Sequence, residues 1–253
     1  MDTGGVVVIL GMLAAAALVL IAVVAAVRGL RAASRPESRP FSCTGRQYGA
    51  FYSRRSFIRL GAATVGAFVL AHTGADVAVD SWISSTRTER SDRIAGGWKG
   101  FGERFWFFVW APFALLDGLV ATHPVLRWGR RNFEATFVGL PMLWTLQRLG
   151  GASRPSEDRG SCWRPIRDDN TASGHTFMAA IPWLNLGRSV DPVWIRRAAW
   201  VMSWGTGWSR MNDRKHFVSQ VLYGQAIADQ AVAAVSARTD RGNAKAATVE
   251  VSF

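Results

Sequence analysis

The sequence predicts an all-α protein in which a helical bundle follows one or two transmembrane helices. Of its 253 residues 49% are hydrophobic, which is enough for a sizeable core. Beyond residue 53 the apolar residues recur mostly at helical rather than alternating spacing, and no convincing run of strands is present. Near the N-terminus an uncharged apolar run covers residues 6–27, about 33 Å long as a helix and long enough to cross a bilayer core.

This apolar run predicts a transmembrane anchor over residues 1–28. A cleaved secretory signal is the competing interpretation, but the run is long for such a signal and follows Asp2 rather than basic residues. The next stretch, 29–59, is rich in arginine and opposed only by Glu37, so the positive-inside rule predicts a basic cytoplasmic linker. Residues 34–53 also have the Pro, Ser and Gly content of a linker.

Residues 60–79 predict a second membrane helix, although His72 and Asp76 weaken it. The preceding sequence "SRRSFIR" (53–59) also resembles a twin-arginine export signal, so two interpretations stay open. Either one delivers the rest of the chain to the extracytoplasmic side of the membrane.

The remainder predicts a helical domain over residues 80–238 and a flexible polar tail over 239–253. Within the domain the predicted helices are 104–121, 131–149, 174–186, 192–207 and 215–236. The stretch 207–213 is predicted to be a loop. Because the helices are rich in Trp and Phe yet carry charged residues, we expect a bundle on or partly in the membrane.

The net charge of +12 suggests contact with anionic lipid headgroups, phosphorylated substrates or nucleic acid. No zinc-finger spacing, RNP-like motif or run of basic residues interleaved with aromatics is present, so nucleic acid is not a predicted partner. The acidic cluster "RDDN" (167–170) is predicted to be a solvated loop, since the sequence lacks a His-rich ligand set. The sequence therefore predicts neither a metal nor a cofactor, and it leaves the oligomeric state open.

Three stretches carry residues suited to chemistry, namely "QRLGGASRP" (147–155), "TASGHTF" (171–177) and "WSRMNDRKHFVSQ" (208–220). In the second, Ser173 and Gly174 lie where a helix begins, so free N–H groups and the positive end of the dipole would face an anion. His175 follows inside that first turn.

The third stretch places Arg210 in the predicted loop and His216 at the start of the next helix. Gln220 lies four residues later on the same helical face, within reach of the His216 ring. The first stretch adds Arg154, which Pro155 follows. Two arginines, a hydroxyl group, helix-terminal amides and two histidines are the groups that a tetrahedral oxyanion requires.

In order and spacing these stretches resemble the type 2 phosphatidic acid phosphatase superfamily, to which acid phosphatases and vanadium haloperoxidases are related. The family pattern is Lys-X6-Arg-Pro, then Pro-Ser-Gly-His, then Ser-Arg-X5-His-X3-Asp, and the resemblance covers roughly residues 98–236. It implies the helical bundle of that family. It further implies that His216 is the nucleophile that attacks phosphorus and that His175 protonates the leaving oxygen. The implied phosphate-binding residues are Arg154, Ser173, Gly174 and Arg210.

The sequence departs from the family pattern at three positions. Gln147 stands in place of the lysine, Ala172 in place of the proline, and Gln220 in place of the aspartate that orients the nucleophile. Arg164, in a second Arg-Pro pair, could restore the missing positive charge, as could Arg148. Asp213 could replace the aspartate or cap the following helix.

The resemblance implies a membrane-anchored phosphatase that hydrolyses a phosphate monoester or pyrophosphate, with a lipid phosphate as the expected substrate. The chemistry would proceed through a phosphohistidine without a metal. A non-catalytic phosphate or phospholipid binding protein is the alternative, because Gln147 and Gln220 weaken the chemistry. A vanadate-dependent haloperoxidase is a third, which the membrane anchor disfavours.

Overall fold

The computed structural model describes residues 44–117, 123–190 and 192–250, with the side chains of the last helix described through residue 236. Within these ranges the chain is all-helical, as predicted, and contains no strand beyond an isolated bridge between Ala152 and Trp163. Short 3₁₀ turns lie at Gly100–Gly102 and Pro155–Glu157. The α-helices are α1 (Thr44–Phe51), α2 (Arg54–His72), α3 (Ala75–Thr86), α4 (Glu89–Lys99), α5 (Trp106–Leu116), α6 (Pro124–Gly150), α7 (Gly174–Ser189), α8 (Val193–Met202), α9 (Gly205–Asn212) and α10 (Val218–Glu250).

Helices α6, α7 and α10 pack against one another at the centre of the fold. Val138 of α6, Phe177 of α7 and Ile227 of α10 are fully buried between them. Helix α6 approaches α7 closely at Gly139, where an added Cβ would lie 2.7 Å from the Phe177 ring. The backbone N–H of Ser173 donates to the carbonyl of Gln220 at 2.9 Å, so the N-terminal ends of α7 and α10 lie side by side. These two ends carry two of the three predicted motifs.

Helix α6 begins earlier than the predicted helix 131–149. Pro124 occupies its first turn, where a missing N–H costs nothing, and His123 caps it by accepting the Val125 N–H at 3.2 Å. It ends at Gly150, and the C-cap Gly151 has a left-handed φ of 55° that allows the Gly151 N–H to reach the carbonyl of Gln147. The first motif therefore begins on the last turn of a long, central helix.

The part of the predicted linker that the structure describes, residues 44–59, is helical rather than extended. Helix α1 packs on α6 and α10, where Gln47 donates to Glu134 at 2.8 Å and Phe51 is buried. Linker composition did not reveal these partners, because they lie far along the chain. The predicted anchor and the rest of the linker lie outside the described residues.

The predicted membrane helix 60–79 is split between α2 and α3. Gly74, with a left-handed φ of 81°, lies at the break, and the two helices differ in direction by 67°. Neither helix alone is long and apolar enough to cross a bilayer, whereas the bent pair passes that test on length and composition. Helix α2 packs on α10, with Leu60 and Ala67 buried and the hydroxyls of Thr64 and Tyr223 hydrogen bonded. The helical unit thus includes α1, α2 and α3, although the prediction starts the domain at residue 80.

The predicted helix 192–207 is divided into α8 and α9, and the predicted loop 207–213 is largely helical. Glycine and serine in "GWSRMND" (207–213) indicate a loop, but Gly207, like Gly205 just before this stretch, is needed for packing. An added Cβ on Gly205 would lie 2.5 Å from the Trp98 ring, and one on Gly207 would lie 2.5 Å from Val221. The sequence also failed to predict α4, whose Thr88 and Ser91 form a capping box.

Helix α10 begins at Val218 and continues to Glu250, past the residue at which the sequence predicts a flexible tail. His216 precedes this helix, whereas the prediction placed it in the first turn. Residues 251–253 lie outside the described part of the chain.

Candidate active site

The N-terminus of α7 forms one wall of the site, as predicted. Ser173 is the N-cap, and its Oγ accepts the N–H of Thr176 at 3.3 Å. Its side chain is therefore engaged in the cap, and Ser173 is fully buried. Gly174 and His175 follow in the first turn, where backbone N–H groups lack intrahelical partners and the dipole is positive. This end of α7 can bind an anion through its backbone.

Gln147 holds the segment before α7 rather than extending freely toward a ligand. Its Nε2 donates to the carbonyl of Ala172 at 2.7 Å, and Ala172 is fully buried. A Cβ on Gly174 would lie 3.5 Å from the same nitrogen, so Gln147 also lines the start of α7. The amide thus fixes the backbone where the family has a proline, and the prediction of Gln147 as a substrate-binding residue is better replaced by a structural role.

Arg210 belongs to helix α9 and not to a loop. Its carbonyl accepts the backbone N–H groups of Lys215 (2.9 Å) and His216 (3.2 Å), so the arginine and the histidine of the third motif are joined through the main chain. Arg214, with a left-handed φ of 53°, allows the tight turn between them. The buried Nε of Arg210 has no hydrogen-bond partner among the described residues, while Nη1 lies 3.5 Å from Asp213.

Asp213 ends α9 as its C-cap, and it does not cap α10. Asp76 of α3 does so instead. Its carboxylate accepts the Ser219 N–H at 2.9 Å, the Ser219 hydroxyl at 2.6 Å and the Ser161 hydroxyl at 2.6 Å. A buried carboxylate with three donors at a helix N-terminus is well stabilised. Asp76 therefore anchors the turn of α10 that carries Gln220.

The predicted contact between His216 and Gln220 is present. Gln220 Oε1 lies 2.8 Å from His216 Nδ1 and also accepts the Phe217 N–H at 3.2 Å. Gln220 Nε2 donates to the carbonyl of Ser153 at 2.6 Å. The Phe217 N–H must face the oxygen of the Gln220 amide, and the Ser153 carbonyl must face its nitrogen. Since the oxygen therefore also faces His216 Nδ1, Nδ1 must carry the hydrogen. The other ring nitrogen, Nε2, then carries no hydrogen and keeps its lone pair available.

Burial is the main reason that the pKa of His216 falls to about 3. The hydrogen bond to Gln220 opposes this lowering, whereas the nearby charges of Arg210, Arg154 and His175 lower the pKa further. The imidazole is therefore neutral at neutral pH. A neutral ring with a fixed tautomer is the form in which a histidine attacks phosphorus.

The guanidinium of Arg154 is held from the "RDDN" stretch. Its Nε donates to Asn170 Oδ1 at 2.8 Å, and Asn170 is buried. The prediction of a solvated loop is therefore wrong for Asn170, which orients an arginine of the site. Nothing in the composition of "RDDN" distinguishes this asparagine from a surface residue.

Arg214 fixes the backbone around Arg154. Its Nη2 donates to the carbonyl of Pro155 at 3.0 Å and its own carbonyl accepts the Ser156 N–H at 3.0 Å. The same side chain pairs with Asp80 at 3.0 Å and Asp158 at 2.9 Å. The third motif thus positions the first through a residue that the family pattern leaves unspecified.

Arg164 does not replace the missing lysine in this arrangement. Its guanidinium donates twice to Asp168, at 2.9 and 2.7 Å, so its charge is compensated within the loop. The Arg164 N–H donates to the Gly151 carbonyl at 2.6 Å, and an added Cβ on Gly151 would lie 2.0 Å from the Arg164 carbonyl. Its contribution is to pack this loop against the end of α6.

The remaining predicted residues come together in one site. Arg154, Arg210 and His175 lie close enough to His216 to lower its pKa, and Arg210 acts on His175 in the same way. Two guanidinium groups and the N-terminus of α7 therefore surround a neutral imidazole. The arrangement can bind a tetrahedral oxyanion and present a nitrogen nucleophile to it.

No model of a protein family, no curated protein and no solved structure matches the chain. The resemblance to the phosphatase superfamily consequently depends on the three motifs and on the geometry described above.

The low pKa of His216 makes the stability of the fold depend on pH. Its folded value of about 3 lies below the ordinary value of about 6.5, so the unfolded chain takes up a proton first as the pH falls. The contribution of the neutral His216 to the free energy of unfolding is complete above pH 6.5. Between pH 6.5 and about pH 3 it falls by up to about 1.4 kcal/mol per pH unit. We expect thermal unfolding of the purified protein to show a steeper loss of Tm over this range than the His216→Asn variant.

The asparagine in that variant can still donate to Gln220 but does not titrate. Other groups that titrate in this range contribute equally to both proteins, so the difference between the two curves isolates His216. Parallel curves would mean that His216 is not buried as a neutral ring.

Proposed function

We propose that the protein is a membrane-anchored phosphatase that hydrolyses a phosphate monoester or pyrophosphate. The observation that carries the proposal is the buried, neutral His216, whose Nδ1–H is fixed by Gln220 and whose Nε2 is free beside Arg154 and Arg210. A phosphate-binding protein needs the two arginines but has no need of an imidazole with a fixed tautomer.

The proposed reaction has two steps. In the first, the Nε2 lone pair of His216 bonds to phosphorus, the bond to the leaving oxygen breaks, and that oxygen takes the electron pair and a proton from His175. In the second, water attacks the phosphohistidine, His175 accepts a proton from this water, and the P–N electron pair returns to Nε2. The sum is an alcohol and inorganic phosphate, and each charge that develops is stabilised by side chains or helix-terminal amides.

Gln220 limits the rate of this chemistry compared with an aspartate. Its carbonyl keeps the tautomer of His216 but does not neutralise the positive charge that the ring gains as it attacks. The same residue binds Ser153, next to Arg154, so it links the nucleophile to the phosphate-binding loop. This second contact gives a reason for an amide at position 220, because a carboxylate has no N–H for the Ser153 carbonyl.

An apolar cavity along α7, which starts at Met178 one turn after His175, supports a substrate with a hydrocarbon part. The cavity has a volume of about 410 Å³, within the range of small-molecule sites. Met178, Pro182 and Leu186 line it, at intervals of three or four residues after His175 on one face of α7. The rest of its lining consists mostly of aromatic residues, among them Phe101, Trp106, Trp110, Trp128 and Trp183.

Since His175 would protonate the leaving oxygen, this cavity lies on the leaving-group side of the site. A lipid phosphate with its chain in the cavity fits this arrangement better than a small soluble ester. We propose accordingly that the protein acts at a membrane, with the domain on the extracytoplasmic side that the arginine-rich segment predicts.

Filling the cavity tests its role. We expect Met178→Trp to raise KM for a long-chain lipid phosphate by about tenfold and to leave KM for a short-chain phosphate nearly unchanged, because a lost apolar contact costs about 1 to 3 kcal/mol. Met202→Trp, the same change on the exposed helix α8, is the matched control. Equal effects on both substrates would show that the cavity does not receive the chain.

The function itself is tested by phosphate release from lipid phosphates, isoprenoid pyrophosphates and a soluble aryl phosphate, each with and without EDTA. We expect turnover that EDTA leaves unchanged, because side chains supply both the nucleophile and the charge stabilisation. Binding of inorganic phosphate without release from any substrate would instead establish the non-catalytic alternative. Loss of activity in EDTA that a divalent ion restores would contradict the proposed mechanism.

A further inference from the structure

A carboxylate that belongs to none of the three motifs lies beside the proposed acid. Glu103 Oε1 is 3.7 Å from His175 Nε2. Glu103 follows the 3₁₀ turn Gly100–Gly102 in an extended conformation, and it is partly exposed at the edge of the site. This turn packs directly on α7.

The approach of the turn to His175 is fixed by packing. An added Cβ on Gly102 would lie 2.8 Å from both the Cβ and the carbonyl oxygen of His175, so only glycine permits this contact. The Trp106 indole N–H donates to the Gly100 carbonyl at 2.8 Å and ties the turn to α5. The close contact of the buried Gly102 with His175 thereby places the carboxylate of the next residue beside the imidazole.

Charges of both signs face His175 from the elements around it. Lys99 at the end of α4 and Arg210 on α9 are cationic, whereas Glu103 is anionic. Arg154 lies beyond, beside the neutral His216. Burial, the largest effect, and Arg210 lower the pKa of His175 below its ordinary value, and the charge of Glu103 opposes this shift. Among these groups Glu103 alone favours the imidazolium form.

We propose that Glu103 is a positioning residue that stabilises His175 as the charged general acid. The carboxylate of this site is thus paired with the histidine that protonates the leaving group. In the family pattern an aspartate accompanies the nucleophile instead, at the position of Gln220. The proposal rests on the proposed function, because it concerns the acid of the same reaction. It assigns the two histidines opposite states in the reacting complex, His216 neutral and His175 protonated.

The two states match the first step of the reaction. The neutral His216 supplies the electron pair that bonds to phosphorus, and the His175 imidazolium supplies the proton that the leaving oxygen takes with the electrons of the broken P–O bond. Glu103 stabilises the charge of His175 before the transfer. A leaving group that is stable as an anion needs no proton, so it should not depend on Glu103.

The test compares two leaving groups in the Glu103→Gln variant of the full chain. For an alkyl phosphate, whose leaving alkoxide requires a proton, we expect kcat/KM to fall about tenfold or more at neutral pH. For 4-nitrophenyl phosphate, whose phenolate leaves unaided, we expect a change of less than about threefold. Asp229→Asn, which removes an exposed carboxylate on α10, is the control and should change neither rate.

The pH profile gives a second readout that a merely structural role would not move. Removing the carboxylate lowers the pKa of His175, so the alkaline limb of kcat/KM for the alkyl ester should move to lower pH while the acidic limb stays in place. Glu103→Asp should restore part of both effects. Equal losses on the two substrates, or an unmoved alkaline limb, would overturn the role of Glu103.

A wild-type protein that hydrolyses neither ester would overturn the proposed function rather than the pairing. In that case NMR titration of the His175 ring, compared between wild type and Glu103→Gln, still tests the contact. A pKa that the substitution leaves unchanged would then overturn the pairing too.

Discussion

Replacing His216 with alanine is expected to abolish turnover while leaving phosphate binding largely intact. The substitution removes the nitrogen that forms the covalent intermediate in the proposed mechanism, but Arg154, Arg210 and the N-terminus of α7 remain. We expect kcat to fall by at least about a thousandfold, since removing a nucleophile leaves only the contributions of binding and electrostatic stabilisation. Phosphate release measures the loss, and calorimetric titration with inorganic phosphate measures the binding that should persist.

His216→Asn provides a matched control for the fold, because its amide can still donate to Gln220. It should be as inactive as the alanine variant and closer to the wild type in Tm. Turnover above about a tenth of the wild-type rate in either variant would exclude covalent catalysis at this position, since a lost nucleophile costs far more.

Gln220→Leu is expected to have the second largest effect, on both activity and stability. It removes the acceptor that fixes the His216 tautomer, and it leaves the buried Phe217 N–H and Ser153 carbonyl without their partner. We expect kcat to fall by about a hundredfold or more, because a misoriented imidazole loses most of its reactivity. The free energy of unfolding should fall by about 2 to 4 kcal/mol, since each unsatisfied buried group costs about 1 to 3 kcal/mol.

Gln220→Asp separates charge from orientation at the same position. A carboxylate beside His216 favours the imidazolium and raises the pKa of the ring from its low value of about 3, so the acidic limb of kcat/KM should move to higher pH. At alkaline pH the added charge should increase the rate, whereas loss of the bond to Ser153 opposes that gain. Rates and pH profiles of the two variants, measured on one soluble substrate, distinguish these effects. An unmoved acidic limb in a folded Gln220→Asp variant would show that residue 220 does not control the charge on His216.

The local features of the site were predictable because they depend on residues close together in the sequence. Ser173 caps the helix that it was predicted to cap, and Gln220 reaches His216 because a helical turn brings residues four apart to one face. The prediction of Arg210 in a loop is wrong, because "GWSRMND" has the composition of a loop but Gly207 serves the packing of α9 instead. Composition misled in the same way at residues 44–59, which form α1 and the start of α2.

The roles of the polar residues around the site were not predictable, because each depends on a partner far along the chain. In the sequence Asp76 weakens the predicted membrane helix 60–79. In the structure it lies on α3 and caps the N-terminus of α10. Asn170 was assigned to a solvated loop, yet it is buried against Arg154. The proximity of Glu103 to His175 could not be predicted, because a single glutamate after a glycine looks the same in the sequence as any surface charge. Gln147 and Arg164 were assigned to the substrate, and the structure pairs them with Ala172 and Asp168 instead.

The sequence by itself determined the helical class of the domain, the order of the three motifs and the identity of the two histidines and two arginines that come together. These follow from periodicity, capping preferences and spacing, which act over a few residues. The packing of α6, α7 and α10, by contrast, decided which polar groups face the site and which are used in holding it. That outcome depends on burial: a polar side chain inside the fold must find a partner, and its partner is whichever group the neighbouring helix presents. For this reason the fixed tautomer of His216 and the opposing charges around His175 became apparent only once the groups packed against each ring were known.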